Sequence, residues 1–354
     1  MKRMLPLLLA LSLLLTGCGS LFDGSYVSVK PHEVPHFDQA AQQVKISTYN
    51  NLVSALRQML FRGVRQAVFS VEGYPEDELQ ADLDKVDEEL KEDPVVSYMT
   101  ADLTLNLDTD DDSPILEVGL SYARNPAELE QLQVVPDMLV ADEVLCGALS
   151  SMDTGLLMLI EDYDSADFQA LAENYAMKNP DLVMELPRIL VNIYPETGNR
   201  RIAEISFRYR TNRTMLRSMQ QEVRPIFDAG VAYVSHITSQ EKQYAQLYAF
   251  LKDRFEYKLE TSLTPAYSLL CHGVGDSRAF ASVYAALCRE TGIFCRVVTG
   301  TYHGEVRFWN MIYLDGVYYH VDLLQPDYMI RTNAEMTDYV WDYWAYSYEG
   351  VETK

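Results

Sequence analysis

The chain has 354 residues, 48% hydrophobic and 23% charged, a globular composition long enough for two or three modest domains and unlike that of a disordered tail. Twenty-nine Lys and Arg stand against 52 Asp and Glu, a formal charge of -23, and no stretch gathers the cations into a basic block. Affinity for nucleic acid comes largely from cations that neutralise phosphates, so no nucleic-acid partner is expected.

At the amino terminus Lys2 and Arg3 precede an apolar run, Leu5 to Leu15, too short to cross a bilayer as an ordinary transmembrane helix. Leu15-Thr16-Gly17-Cys18 follows, and it resembles the lipobox of bacterial lipoproteins. In that family the signal is cut before the Cys, whose sulfur and new amino terminus carry lipid. The resemblance implies a signal peptide over residues 1–17, lipidation of Cys18 with palmitate among its chains, and an extracytoplasmic protein held on a bacterial membrane. A plain secretory signal that contains a Cys is the alternative, since small residues precede both kinds of cleavage site. Three acyl chains would anchor the protein firmly. Residues 18–47 read as the lipidated Cys and a tether. Within it His32 and His36 are not a metal pair, because Pro35 forbids the helix that would stack them.

Cys146, Cys271, Cys288 and Cys295 remain after Cys18, in a compartment that permits disulfides. Their spacing matches no zinc pattern, and no metal or other cofactor is expected. Cys288 and Cys295 have apolar neighbours and read as buried thiols, with a disulfide among the four left open.

The middle of the chain repeats. Ile115 to Tyr122, then Asn125, Leu129 and Leu132, line up with Ile202 to Tyr209, then Asn212, Leu216 and Met219, at a constant shift of 87 residues. The alternation in both copies is that of a strand, and a short helix is expected after each. Leu103 to Leu107 and Ile189 to Ile193 supply the preceding strand of each hairpin. Leu52 to Val71 and Val144 to Ile160 read as helical stretches, and the segments at Tyr74 and Tyr163 match more loosely. The expectation is α+β: two diverged helix/hairpin units, residues 48–141 and 142–223, before a carboxy-terminal domain over 224–354. The acidic run Asp82 to Asp93 reads as a solvated helix face, and Asp108 to Asp112 as a polar loop without the Gly and distal Glu of a calcium loop.

In the last third, Thr238-Ser239-Gln240-Glu241 forms a capping box before a helical pattern. A second helix opens at Gly275-Asp276-Ser277 and stops at Gly292-Ile293, with Ser277 read as sharing the N-cap with Asp276. Three strands follow, Cys295 to Thr299, Val306 to Leu314 and Val317 to Leu323, the last two joined by an Asp315-Gly316 turn.

This order and several residues resemble the transglutaminase-like domain of bacterial surface proteins, a relative of the papain-like cysteine peptidases, over about residues 224–354. The family has a Cys-x-Gly-Tyr-Ala signature at a helix start, with Gly-Ile fifteen residues on. Here Gly292-Ile293 lies fifteen residues after Ser277, so the nucleophile position falls on Ser277. The family's His-Ala-Trp-Asn strand matches Arg307-Phe308-Trp309-Asn310, and its Trp-Tyr-x-x-Asp strand matches Tyr318-Tyr319-His320-Val321-Asp322. The resemblance thus implies helices packed on an antiparallel sheet, with Ser277, Arg307 and Asp322 at the three catalytic positions.

In the family a thiolate attacks an amide or peptide carbonyl while an Asp-oriented imidazole shuttles the proton. A serine hydroxyl needs a base to become nucleophilic, and Arg307 stays charged and accepts no proton. The first reading is therefore a pseudoenzyme of the cell envelope that binds or scaffolds a peptide or another envelope protein. A thiol enzyme built on Cys271, with His272 beside it, is the second. A serine hydrolase pairing Ser277 with His303 or His320 is the third. Trp309, Asn310 and Tyr319 complete the expected cleft.

Overall fold

The computed structural model describes residues 44–109, 114–258 and 262–346. The expected signal peptide, Cys18 and loop positions 110–112 lie outside them.

The first unit runs β1 (Val44–Lys45), α1 (Tyr49–Arg62), β2 (Gln66–Ser70), α2 (Glu76–Glu92), α3 (Pro94–Met99), β3 (Thr100–Asp108) and β4 (Ile115–Tyr122). The second runs β5 (Gln133–Asp137), α4 (Met138–Ser151), β6 (Gly155–Asp162), α5 (Phe168–Lys178), β7 (Arg188–Tyr194) and β8 (Arg201–Arg208), then α6 (Arg213–Val234). Their sheets have matching orders, β1-β2-β4-β3 and β5-β6-β8-β7. The two hairpins found by the 87-residue shift are the antiparallel pairs β3–β4 and β7–β8.

Both stretches expected to be wholly helical contain a strand. Thr48 caps α1 by accepting from the Asn51 N–H, and Gly63, at φ 68° in the left-handed region, ends it. The chain then pairs Gln66–Ser70 antiparallel with β4. In the second unit Met152 takes the left-handed position, and Leu156 to Ile160 form a central strand buried on both faces between β5 and β8. A continuous apolar run carries no period, so a two-faced strand and a buried helix look alike in sequence.

Three further expectations change. Ile46 is fully buried and donates its N–H to Ser70 O at 2.8 Å, so the expected tether to residue 47 ends inside the first sheet. The helix after the second hairpin is long, 22 residues, whereas a 3-10 turn (Pro126–Gln131) follows the first. The expected cut at 141/142 falls within α4 and that at 223/224 within α6, whose Leu216 and Phe227 share one core. On α2, by contrast, Leu79, Leu83, Val86 and Leu90 form the buried stripe and leave the acidic run on the solvated side.

After α6 come α7 (Gln240–Lys252), β9 (Glu256–Tyr257), α8 (Pro265–His272), β10 (Val274–Gly275), α9 (Ser277–Glu290), β11 (Cys295–Tyr302), β12 (Glu305–Leu314), β13 (Val317–Val321), β14 (Tyr339–Trp341) and α10 (Tyr343–Tyr346). The third large sheet is antiparallel, ordered β13-β12-β11-β14. Asp315 and Gly316, at φ 50° and 85°, make the expected tight turn between β12 and β13. Every residue of α9 from Ala279 to Cys288 is buried, so this small-residue helix is the axis on which α6, α7, α8 and the sheet pack. The described residues are α+β throughout. Among the described residues no helix is long and apolar enough to cross a membrane, and Cys146, Cys271, Cys288 and Cys295 are all free thiols.

Candidate functional site

The approach to α9 is built locally. Gly273 ends α8 in the left-handed region at φ 78°, and β10 pairs in parallel with β9 before the helix begins. Asp276 alone is the N-cap, its carboxylate accepting from the Ala279 N–H at 2.9 Å. Ser277 is the first helical residue, not a shared cap as expected. Its buried hydroxyl accepts from the Phe308 N–H of β12 at 3.3 Å, which ties the helix start to the strand beside Arg307.

Arg307 and Asp322 meet diagonally across β12 and the end of β13. Nε and Nη2 of Arg307 both donate to Asp322 Oδ2, at 3.0 and 2.8 Å. Tyr339 donates its hydroxyl to the same oxygen at 2.7 Å, while Oδ1 accepts from the Leu324 N–H at 2.9 Å. The side chains are 14% and 3% exposed, so the charges are nearly out of water and each oxygen is held. Burial first, then the adjacent Asp322, pushes the Tyr339 phenol well above its ordinary range, which keeps it a donor. Sequence reasoning missed Tyr339; the aromatic alternation Tyr339-Val340-Trp341 was the one available signal, and three residues are a short one.

His320 is not placed as a base. Trp309 Nε1–H can only donate, and it does so to His320 Nδ1 at 2.9 Å, which assigns the ring proton to Nε2 and its bond to Asn333 Oδ1 at 2.7 Å. Both ring nitrogens are thus engaged, and the ring is 1% exposed against Trp309 and Trp341. Burial lowers its pKa, opposed by the Asn333 bond. The unfolded chain therefore takes up a proton first, and His320 should withdraw stability as pH falls below about 6.5 toward its folded value, by at most about 1.4 kcal/mol per pH unit. Urea midpoints at pH 7.5, 6.5 and 5.5 check this; His320→Gln should flatten the slope, and an unflattened slope would rule His320 out as its source.

The other candidates are dispersed. Asn310, fully buried, donates Nδ2 to Ala281 O at 2.8 Å, and its Oδ1 is buried with no partner among the described residues. Tyr319 pairs opposite Ile312 and packs on the core around α9. Cys271 lies on α8, where burial, and then Glu222, pushes its thiol up rather than toward a thiolate. His272 is the exposed last residue of α8, edge-on to the Tyr267 ring at 5.1 Å. His303, at φ 51°, is exposed at the turn between β11 and β12, against Tyr302. Among the described residues no hydrogen bond joins a His to Ser277 or to Cys271, and no cluster of three or more His, Cys, Asp or Glu could hold a metal ion. The arrangement provides a charged pair, a capped helix start and a buried aromatic wall.

Residues 229–323, which contain Ser277, Arg307 and Asp322, match the transglutaminase-like superfamily and form a domain of that kind. No curated protein matches the chain. Among solved structures, the chain is similar to a TGase, with 8% identity and a TM-score of 0.28, over 51% of this chain and 54% of that one. It thus spans about half the length of that structure. It is also similar to calcium-bound LapG of Legionella pneumophila, with 12% identity and a TM-score of 0.27, over 38% of this chain and 75% of that one.

Proposed function

We propose that the transglutaminase-like domain binds a peptide or an envelope protein without catalysing a reaction on it, in a lipoprotein anchored outside the cytoplasm through Cys18. The observation that carries this reading is the Arg307–Asp322 ion pair beside Ser277. By resemblance, an imidazole in the place of Arg307 would take the proton of a thiol in the place of Ser277. The guanidinium accepts no proton, and both donors that it turns to Asp322 fall on the one carboxylate oxygen. The hydroxyl of Ser277 is left without a base. The thiol-enzyme alternative is weakened by the raised pKa of Cys271, and the hydrolase alternative by the two occupied nitrogens of His320. In this reading the two amino-terminal units are diverged copies, acting as a spacer or a second interaction surface.

The test combines labelling with assays of amidase and amide transfer on glutamine peptides. No turnover, no fluorophosphonate adduct on Ser277 and no hyper-reactive thiol are expected. A labelled Ser277, or a single Cys whose alkylation abolishes a transfer activity, would overturn the reading. Ser277→Cys with Arg307→His should yield a thiol alkylated by iodoacetamide at pH 6.5 about tenfold or more faster than Ser277→Cys alone, because an imidazolium and a helix start favour the thiolate. Equal rates would show that residues 277 and 307 do not form a working pair. Cys18→Ala should move the protein from the membrane fraction to the soluble fraction. Its continued sedimentation after a salt wash would refute the lipid anchor.

A further inference from the structure

On the flank of the amino-terminal half of α9, against α5 and the loop after it, lies a cavity of about 170 Å³. Val183, Met184 and Ala266 are buried walls, and Leu263, 45% exposed, is an apolar lining residue open to solvent. Among the described residues Arg278 is the one charged side chain in the lining. In a chain with 52 acidic residues against 29 basic ones, Arg278 has no carboxylate in ion-pair contact among the described residues; its guanidinium lies 5.6 Å from the Phe308 ring centre. One turn on, Ser282 also lines the cavity. It is 5% exposed, and its hydroxyl makes no hydrogen bond among the described residues. Positions i and i+4 share a helix face, so a cation with no carboxylate partner among the described residues and a hydroxyl with no hydrogen bond among them border one largely apolar space. A hydroxyl that opens on the cavity can donate to a ligand oxygen placed there.

We propose that this cavity binds an apolar group joined directly to a carboxylate, the apolar part inside and the carboxylate on Arg278 with Ser282 donating to it. An apolar cavity of about 150 Å³ accepts benzene, so the space suits a Phe- or Leu-sized group. Two sources supply this chemistry, the carboxy terminus of a peptide and a free short-chain fatty acid. The peptide source deepens the binding function proposed above and rests on it. Ser277, Arg307 and Asp322 do not line the cavity, so a catalytic activity found in the domain would overturn that reading and leave this one standing.

Titration calorimetry on the full chain tests it with N-acetyl-alanyl-phenylalanine, hexanoate and the primary amide of each. At least one acid should bind, its amide should bind about tenfold or more weakly, and Arg278→Gln should lose a similar factor, as expected of a charge-assisted hydrogen bond. Ala176→Phe, which adds bulk to the lining, should weaken the same acid further. The tighter acid names the source. Equal affinity of acid and amide, unchanged affinity in folded Arg278→Gln, or no binding of any probe at millimolar concentration would overturn the proposal.

Discussion

Replacing Asp322 with Ala is expected to lower the stability of the protein by about 3 to 4 kcal/mol, in the range for breaking a buried ion pair from one side. The carboxylate receives Arg307 Nε and Nη2, the Tyr339 hydroxyl and the Leu324 N–H. Removing it strands a guanidinium that is 14% exposed and leaves two neutral donors without an acceptor. Arg307→Ala should cost less, about 1.5 to 3 kcal/mol, because Asp322 keeps Tyr339 and Leu324 as partners. The double variant should cost less than the sum of the two, since one interaction is removed twice. Urea unfolding followed by tryptophan fluorescence reads all three, with Trp309 in the adjacent cluster. A loss below about 1 kcal/mol for Asp322→Ala would place the pair among solvent-screened ion pairs and undo the argument.

Gly300→Ala is expected to be nearly as damaging, about 2 to 4 kcal/mol, at the upper end of overpacking. A Cβ at this position of β11 would lie 2.3 Å from Val340 O and 2.6 Å from Trp309 Cη2. The first contact is with backbone and cannot be relieved by a rotamer change. β14 has only three residues, and all three pair with β11. The added methyl should therefore push β14 away and take Tyr339 from Asp322 with it. Hydrogen exchange at residues 339–341 should accelerate along with the loss of stability. A variant within about 0.5 kcal/mol of the parent, with unchanged exchange there, would show that β14 yields without cost.

The sequence by itself determined those features whose cause is local. Gly292, Asp315-Gly316 and the alternating hairpins at a shift of 87 residues need only the conformational preferences of a few neighbouring side chains, and they mark α9, the β12–β13 turn and the pairs β3–β4 and β7–β8. The pairing of Arg307 with Asp322 was also legible, because strand register and a resemblance together place the two side chains close. Tertiary structure decided the rest. Whether an apolar run such as Leu156 to Ile160 is helix or strand depends on what covers its two faces, and here β5 and β8 flank it. The order of the sheets follows from hydrogen bonds between distant residues. His320 is withdrawn from acid–base chemistry by Trp309 and Asn333, Tyr339 joins Asp322 from seventeen residues away, and Arg278 stands over an apolar cavity, each through contacts that form only when separate segments pack together.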